Sequence, residues 1–479
     1  MDRNELFIGG RWTAPRGGGH TTVLEAASEQ AIGIAAMADA GDIEVAVTAA
    51  RDSLGGRWRD FSTGERAAAL RNFGKALKAR GRDTTALVSR ENGMPITISK
   101  AANGFSPAMM FDYYADLVER RDESDVRPHF MGGRTVVRRE PAGVVAAITP
   151  WNYPQALAAM KIAPALAAGC SVVFKPSPET ALDAFVFADA AVEAGLPAGV
   201  LNVVPGGRET GARLVAHPGV DKVAFTGSTR AGREIGRVCG ENFTPVTLEL
   251  GGKSAAIVLD DVDMDVFTHG LLEYSFGNNG QTCHASTRVL VPRGRYAEFV
   301  EAITETVRGF VVGDPLEKST QIGPLVSCEH RRRVLDHIAS GRGAGARITT
   351  GGGVPADRDR GWFVEPTVFA DVENSSRIAQ EEIFGPVVCV LPYDSVDHAV
   401  DIANDSKYGL AGMVWTSDEA RGMSVASRFR AGTVGVNIYG LDLDAPFGGR
   451  GASGIGRELG PEGLANYYAL KSVYFPTPA

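Results

Sequence analysis

No apolar run in this sequence approaches the ~18 residues that a membrane-spanning helix needs. The opening residues, Met1-Asp2-Arg3-Asn4-Glu5-Leu6, lack the apolar stretch of a secretory signal. A cytoplasmic protein without a membrane partner is therefore expected. Basic excess is missing as well. Lysine and arginine number 49 against 57 acidic residues, a net charge of −8, which argues against nonspecific nucleic-acid binding. Cysteine is scarce: Cys170, Cys239, Cys283, Cys328 and Cys389 are the five in 479 residues. They are far apart and form no metal-type pair, so neither a disulfide framework nor a metal site is expected. Cys170, Cys239 and Cys389 sit in apolar surroundings and read as small buried hydrophobes. Cys328 reads as a helix-start or loop residue.

What is present is the composition of a globular protein, 44% hydrophobic and 22% charged, with a length that corresponds to about three domains. Residues 43–54, 64–80 and 105–119 read as amphipathic helices, the last with Phe105, Met109, Tyr113 and Leu117 about one turn apart. Residues 120–139 are charged and broken by Arg127-Pro128 and Gly132-Gly133, an excursion from the main body. From residue 143 the pattern changes. Short Val-rich runs at 143–148, 171–174, 200–204 and 222–225 alternate with helical stretches at 155–168, 180–194 and 208–216. That alternation implies a parallel sheet covered on both faces. It is a dinucleotide-fold pattern, although the usual Gly-x-Gly-x-x-Gly fingerprint is missing from it. A second α/β series runs from 255–259, through helices 263–276 and 295–309 and the strand 287–291, to 434–437. The glycine-rich stretch 341–361 reads as an exposed loop.

Two motifs carry chemistry. Gly280-Gln281-Thr282-Cys283 follows Gly277-Asn278-Asn279, where the backbone can approach a ligand closely. A cysteine thiolate there can attack a carbonyl carbon. Leu248-Glu249-Leu250-Gly251-Gly252-Lys253 holds a glutamate between leucines that favour burial. A partly buried carboxylate has a raised pKa and can accept a proton from a thiol or a water near neutral pH. A third motif, Thr149-Pro150-Trp151-Asn152-Tyr153-Pro154, offers the Asn152 amide to a developing oxyanion.

These three motifs, in this order, resemble the aldehyde dehydrogenase superfamily. So do Phe225-Thr226-Gly227-Ser228, Glu381-Glu382-Ile383-Phe384-Gly385-Pro386 and Pro446-Phe447-Gly448-Gly449; the matches run from about residue 140 to the end. The resemblance implies an α/β fold of three parts: a Rossmann-like cofactor domain, an α/β catalytic domain and a small β-hairpin oligomerisation element. These correspond to residues 1–119 with 140–250, to 251–453, and to 120–139 with 454–479. The strand-favouring tail Tyr467–Phe475 is expected to join the hairpin and to pair with another subunit of a homodimer or homotetramer.

The resemblance also implies roles. Cys283 is the nucleophile, Glu249 the general base and Asn152, with the backbone N–H of Cys283, the oxyanion donor. The implied reaction oxidises an aldehyde to a carboxylic acid with NAD or NADP. Thr149, Trp151, Lys175, Ser177, Gly211, Gly227, Ser228, Glu382 and Phe384 match cofactor-binding positions, and Lys161 a further cofactor-side one. Glu381, beside Glu382, reads as a structural salt-bridge partner. Pro178 stands where NAD-preferring relatives commonly have a ribose-binding glutamate, with Glu179 one place later and Arg230 where many have an acid. NAD is the expectation and NADP stays open. Tyr153, Leu157, Met160 and Phe447, with Tyr439 opposite, are the expected substrate walls of an apolar tunnel. Asp442 and Asp444 would instead favour a cationic aldehyde. His284, beside the nucleophile, has no assigned role. Relatives that pass the acyl group to coenzyme A generally lack the glutamate, so hydrolysis is favoured over that alternative. A silent structural relative should have lost one of the three catalytic types, and none is lost.

Overall fold

The computed structural model describes residues 2–476. Met1 and the last three positions of the 454–479 range lie outside the described residues.

The larger sheet has eight strands, in the order Gly454–Ile455, Val246–Glu249, Lys222–Thr226, Val144–Ile148, Ser171–Lys175, Leu201–Val203, Leu6–Ile8 and Arg11–Thr13. The five strands from Val246–Glu249 to Leu201–Val203 run parallel. Four of them, Val144–Ile148, Ser171–Lys175, Leu201–Val203 and Lys222–Thr226, are buried along their whole length, as a sheet covered on both faces demands. One face is packed by Thr63–Asn92, Ser106–Glu119, Pro154–Ala167 and Ala181–Glu193. The other is packed by Ala40–Ser53, Arg208–Val215 and Thr229–Asn242.

A second sheet of seven strands runs Arg347–Thr350, Thr367–Ala370, Val387–Tyr393, Arg288–Pro292, Ala255–Val258, Ala411–Trp415, Thr433–Val436. It is parallel except for its first pair. Loops from the two sheets share one cleft. Asn152, Gly227 and Ser228 follow the carboxyl ends of first-sheet strands, and Lys175 and Glu249 close two of those strands. Cys283 and Glu382 precede the amino ends of second-sheet strands. Ligand sites in open α/β sheets lie outside the carboxyl ends of the strands.

Two expectations need correction, and a third gains its pairing. The helix read at 64–80 runs on as Thr63–Asn92, closed by Gly93 in the left-handed region at φ 78°. Gly81 does not break it. A Cβ there would lie 2.6 Å from the Gly104 carbonyl, so the glycine allows a close crossing. The 341–361 stretch is only partly loop: it ends the helix Cys328–Gly343 and contributes the edge strand Arg347–Thr350. The tail strand Tyr468–Phe475 pairs within its own chain, antiparallel to Arg134–Pro141, which in turn pairs with Ser124–Pro128. The tail thus joins the hairpin within one chain. Gly454–Ile455 adds to the edge of the first sheet, against Val246–Glu249. Among the described residues no helix is long and apolar enough to cross a membrane.

Candidate active site

Cys283 is delivered by an irregular loop that is locked by amides. Asn278 and Asn279 both adopt left-handed backbone, at φ 52° and 60°. Side chains offset that strain. Asn279 donates to the carbonyls of Gly93 and Pro324, each at 2.8 Å, and accepts from the Gly323 N–H at 2.6 Å. Gln281 accepts from the Val326 N–H at 3.0 Å. Gly280 packs so closely that a Cβ would lie 2.0 Å from the Gly385 carbonyl oxygen.

Asn152 faces this loop. Its Nδ2 donates to the Gln281 carbonyl at 3.0 Å. Its backbone carbonyl accepts from Asn92 at 3.1 Å and from Asn278 at 3.0 Å. Asn92 also donates to the Trp151 carbonyl. The backbone that carries this amide is therefore held by two further asparagines. Neither is in the motif that marks Asn152; Asn278 lies in the turn before Cys283 and Asn92 ends the helix Thr63–Asn92.

Glu249 is 2% exposed, and neither carboxyl oxygen has a hydrogen-bond partner. Burial, and then the Glu458 carboxylate, push its pKa well above the usual range; Lys161 and Arg457 oppose them. Gly448 makes room for it: a Cβ there would lie 2.6 Å from Glu249 Oε1. The Cys283 thiol is pushed up to about 12, first by burial and then by the Glu382 and Glu249 carboxylates. Neutralising those two carboxylates, or taking the thiol's proton, eases thiolate formation.

A cleft of about 150 Å³ gathers seven of the expected residues: Trp151, Asn152, Gly227, Ser228, Cys283, Glu382 and Phe384. Leu250, His330 and Arg333 also line it and were not foreseen. Glu382 accepts from the Gly252 N–H at 3.0 Å; burial lifts its carboxyl to about 7 despite that bond. Its second oxygen lies over Gly251, where a Cβ would come within 2.2 Å. Glu381 pairs with Arg377 at 2.9 Å. Phe384 adopts φ 61°, its carbonyl held by His330 Nε2 at 2.7 Å, and its ring meets Trp151 edge-on. Ser228 caps the helix Thr229–Asn242, whose first N–H groups follow Gly227.

Lys175 and Gly211 lie together beyond this cleft. A Cβ on Gly211 would touch the Lys175 stem at 3.5 Å. The Lys175 ammonium donates to the carbonyls of Pro176 and Gly206, and burial lowers its pKa to about 8. Ser177 donates to Glu179, so a carboxylate stays on this side despite Pro178. Thr149 is buried beside Lys175, its N–H bonded to the Lys175 carbonyl at 3.2 Å and its hydroxyl without a partner.

The chain matches the family model described as "Aldehyde dehydrogenase family" over residues 12–473. It belongs to the aldehyde dehydrogenase family. It is 50% identical over 475 residues to a geranial dehydrogenase of Castellaniella defragrans, covering 99% of both chains. It is 40% identical to betaine aldehyde dehydrogenase 1 of Oryza sativa, covering 99% of this chain and 95% of that one. The aldehyde dehydrogenase of Mycobacterium tuberculosis complexed with NAD+ superposes with a TM-score of 0.98 at 45% identity, covering 100% and 99%.

Two of the expected residues are fully buried. Lys161 is bonded to the cleft residue Thr226. It is 0% exposed, with its ammonium 2.5 Å from Glu458 and 2.6 Å from the Thr226 hydroxyl. Glu458 itself was missed; a glutamate in the glycine-rich Gly454–Gly460 stretch gave no signal of burial. Met160 is not a free substrate wall. It is 1% exposed and belongs to the core packed by the helix Pro154–Ala167, which is apolar nearly all round. Leu157 is buried in the same cluster, and Tyr153 is half-buried against it. Phe447 is buried and its ring meets His284 edge-on, while His284 stacks on Tyr439.

Proposed function

We propose that this member of the family oxidises an aldehyde to its carboxylic acid with NAD, and that Cys283, Glu249 and Asn152 carry the chemistry. The observation that carries this reading is the shared cleft. A thiol, a primary amide and, just behind them, a buried carboxyl without partners converge where loops of two sheets meet. The NAD+ complex of the Mycobacterium tuberculosis relative supports the cofactor. So does the fit of the residues. Gly227 and the helix start at Ser228 suit a pyrophosphate, Glu382 has an oxygen free for a ribose hydroxyl, and Glu179 keeps negative charge near Lys175, which disfavours a 2′-phosphate. Bound NAD+ supplies the hydride acceptor.

In this reading Cys283 gives up its proton and its sulfur attacks the carbonyl carbon. Asn152 and the Cys283 backbone N–H stabilise the oxyanion of the thiohemiacetal. Its collapse expels hydride and leaves a thioester on Cys283. Glu249 then takes a proton from water, whose oxygen attacks the thioester; the thiolate leaves and the acid is released. Because Glu249 is buried with both oxygens free, it suits the water better than a surface acid would. Its presence also speaks against transfer to coenzyme A. The three-stranded sheet leaves Val126, Leu470 and Tyr474 exposed, which supports a homo-oligomer built through it. Free thiols throughout support a reducing compartment such as the cytoplasm.

The test is a panel of aldehydes assayed for NADH formation, with NAD and NADP separately. Wild-type protein should form NADH and free acid. Cys283→Ala should abolish both while still binding NAD. Turnover within a few-fold of wild type in that variant would remove Cys283 as the nucleophile.

A further inference from the structure

Two adjacent parallel strands of the first sheet, Val144–Ile148 and Ser171–Lys175, each run out into a turn and then a helix. The first turn carries Asn152 and leads into Pro154–Ala167; the second carries Ser177 and leads into Ala181–Glu193. Neither helix is capped by its own N-cap side chain, since Tyr153 and Thr180 make no such bond. The free N–H groups of a buried first turn need acceptors from elsewhere. Both helices take theirs from one distant segment. Asn103 Oδ1 accepts from the Gln155 N–H at 3.3 Å. Glu91 accepts from the N–H groups of Leu182 and Asp183 at 2.9 and 3.3 Å.

The two first turns are also bonded to each other. Gln155 Nε2 donates to Asp183 Oδ2 and to the Asp183 carbonyl, each at 2.8 Å. Gln155, Asp183, Glu91 and Asn103 are buried, at 1%, 0%, 1% and 2% exposure, so water offers them no substitute partner. Gln155 and Lys161 are the only polar side chains of the helix Pro154–Ala167. Lys161 is taken by Glu458 and Thr226. Packing does not account for Gln155, because an apolar side chain of similar size would fill the space and need no partner. Its place in the chain does. It follows Asn152 by one turn of chain, and the Asn152 carbonyl is itself held by Asn92 and Asn278. The backbone is thus fixed both at the oxyanion donor and just after it.

Resting on the oxyanion role of Asn152 proposed above, we propose that Gln155 is a positioning residue: its bond to Asp183 fixes the turn that carries Asn152 against the neighbouring cofactor turn that follows Lys175. Gln155 touches no reacting atom and acts through the backbone it anchors. Hydride transfer needs the oxyanion donor and the cofactor in one geometry, and each is served by one of these two turns. A misplacement of about 1 Å, even from a change remote from the chemistry, can cost roughly 10²-fold in rate. The effect belongs to the chemical step and not to cofactor affinity.

The experiment measures single-turnover NADH formation at saturating NAD and hexanal, with urea unfolding of each variant alongside. Gln155→Leu should slow hydride transfer by about 10- to 100-fold while NAD affinity stays near that of wild type. It also strands the buried Asp183 carboxyl without its donor, which lowers stability. Adding Asp183→Ala removes the stranded group and should return much of that stability, yet hydride transfer should stay slow because the bond between the turns is still missing. Asp183→Asn keeps an acceptor for Gln155 and should keep the wild-type rate. In an Asn152→Ala background, Gln155→Leu should slow hydride transfer little further, since it acts through that residue. A wild-type rate in Gln155→Leu, a rate that recovers with stability in the double variant, or fully additive losses with Asn152→Ala overturns the proposal. If wild type forms no NADH, or Asn152→Ala transfers hydride at the wild-type rate, the underlying reading fails instead.

Discussion

Removing either half of the Lys161–Glu458 pair should damage the protein in two separable ways. Both side chains are buried, at 0% and 3% exposure, and the ion pair is 2.5 Å long. Solvent does not screen it. Deleting one partner of a buried pair leaves an uncompensated charge and costs about 3–5 kcal/mol. Lys161→Met and Glu458→Gln should each approach that loss in urea unfolding. The double variant should recover most of it, because an apolar or neutral pair in the same volume is often close to neutral in stability. The second effect is on Glu249. Glu458 raises its pKa and Lys161 lowers it. Taking away Lys161 should therefore shift the Glu249 titration to higher pH, and taking away Glu458 should shift it to lower pH. The assay is the pH dependence of acyl-enzyme decay after a single round of NADH formation. Decay that needs ionised Glu249 should begin at higher pH in Lys161→Met and at lower pH in Glu458→Gln. Shifts in the same direction, or single variants as stable as wild type, would refute the argument that this pair tunes the base.

Three further outcomes follow from the site. Asn152→Ala should slow hydride transfer by roughly 10²–10³, as for one lost oxyanion donor; a change in KM alone would count against that role. Glu249→Gln should still give a near-stoichiometric burst of NADH and then stall, with deacylation down by about 10²–10⁴. Steady turnover at the wild-type rate would dismiss it as the base. Asp183, fully buried beside Glu91, has its carboxyl lifted to about 7 by burial. Its contribution to stability is complete below the ordinary carboxylate pKa and is lost as pH rises through about 7. Asp183→Asn should therefore gain in Tm relative to wild type between about pH 5 and about pH 8.5. An identical Tm difference at both pH values would contradict this.

Much of the architecture is legible because parallel strands announce themselves. Val144–Ile148 and Lys222–Thr226 are continuous apolar runs, and only a sheet covered on both faces buries such runs. The same directness fails on helices that are apolar all round. Pro154–Ala167 buries nearly every residue, so spacing could not tell a tunnel wall from core, and Met160 fell on the wrong side. The tail strand Tyr468–Phe475 and its partner Arg134–Pro141 are separated by more than 300 residues, and nothing local states their pairing.

The candidate site shows the same division more sharply. Cys283, Glu249 and Asn152 stand in motifs because each needs a special local backbone or a buried flank. The groups that hold them come from elsewhere. Asn92 ends a 30-residue helix, yet it grips the carbonyls of Trp151 and Asn152. Glu458 lies 297 residues from Lys161. One signal was available: a lysine inside an apolar helix, Met160-Lys161-Ile162-Ala163, must find a partner if it is buried. It names the need and not the partner. That separation follows from how the site is built. The reacting groups are set by chemistry and recur as short motifs. Their surroundings are set by buried amides and one buried ion pair, drawn from distant parts of the chain; of these, Asn278 reaches Asn152 across the two sheets. Single substitutions among the holding residues should therefore alter pH dependence and transition-state geometry without removing a reacting atom.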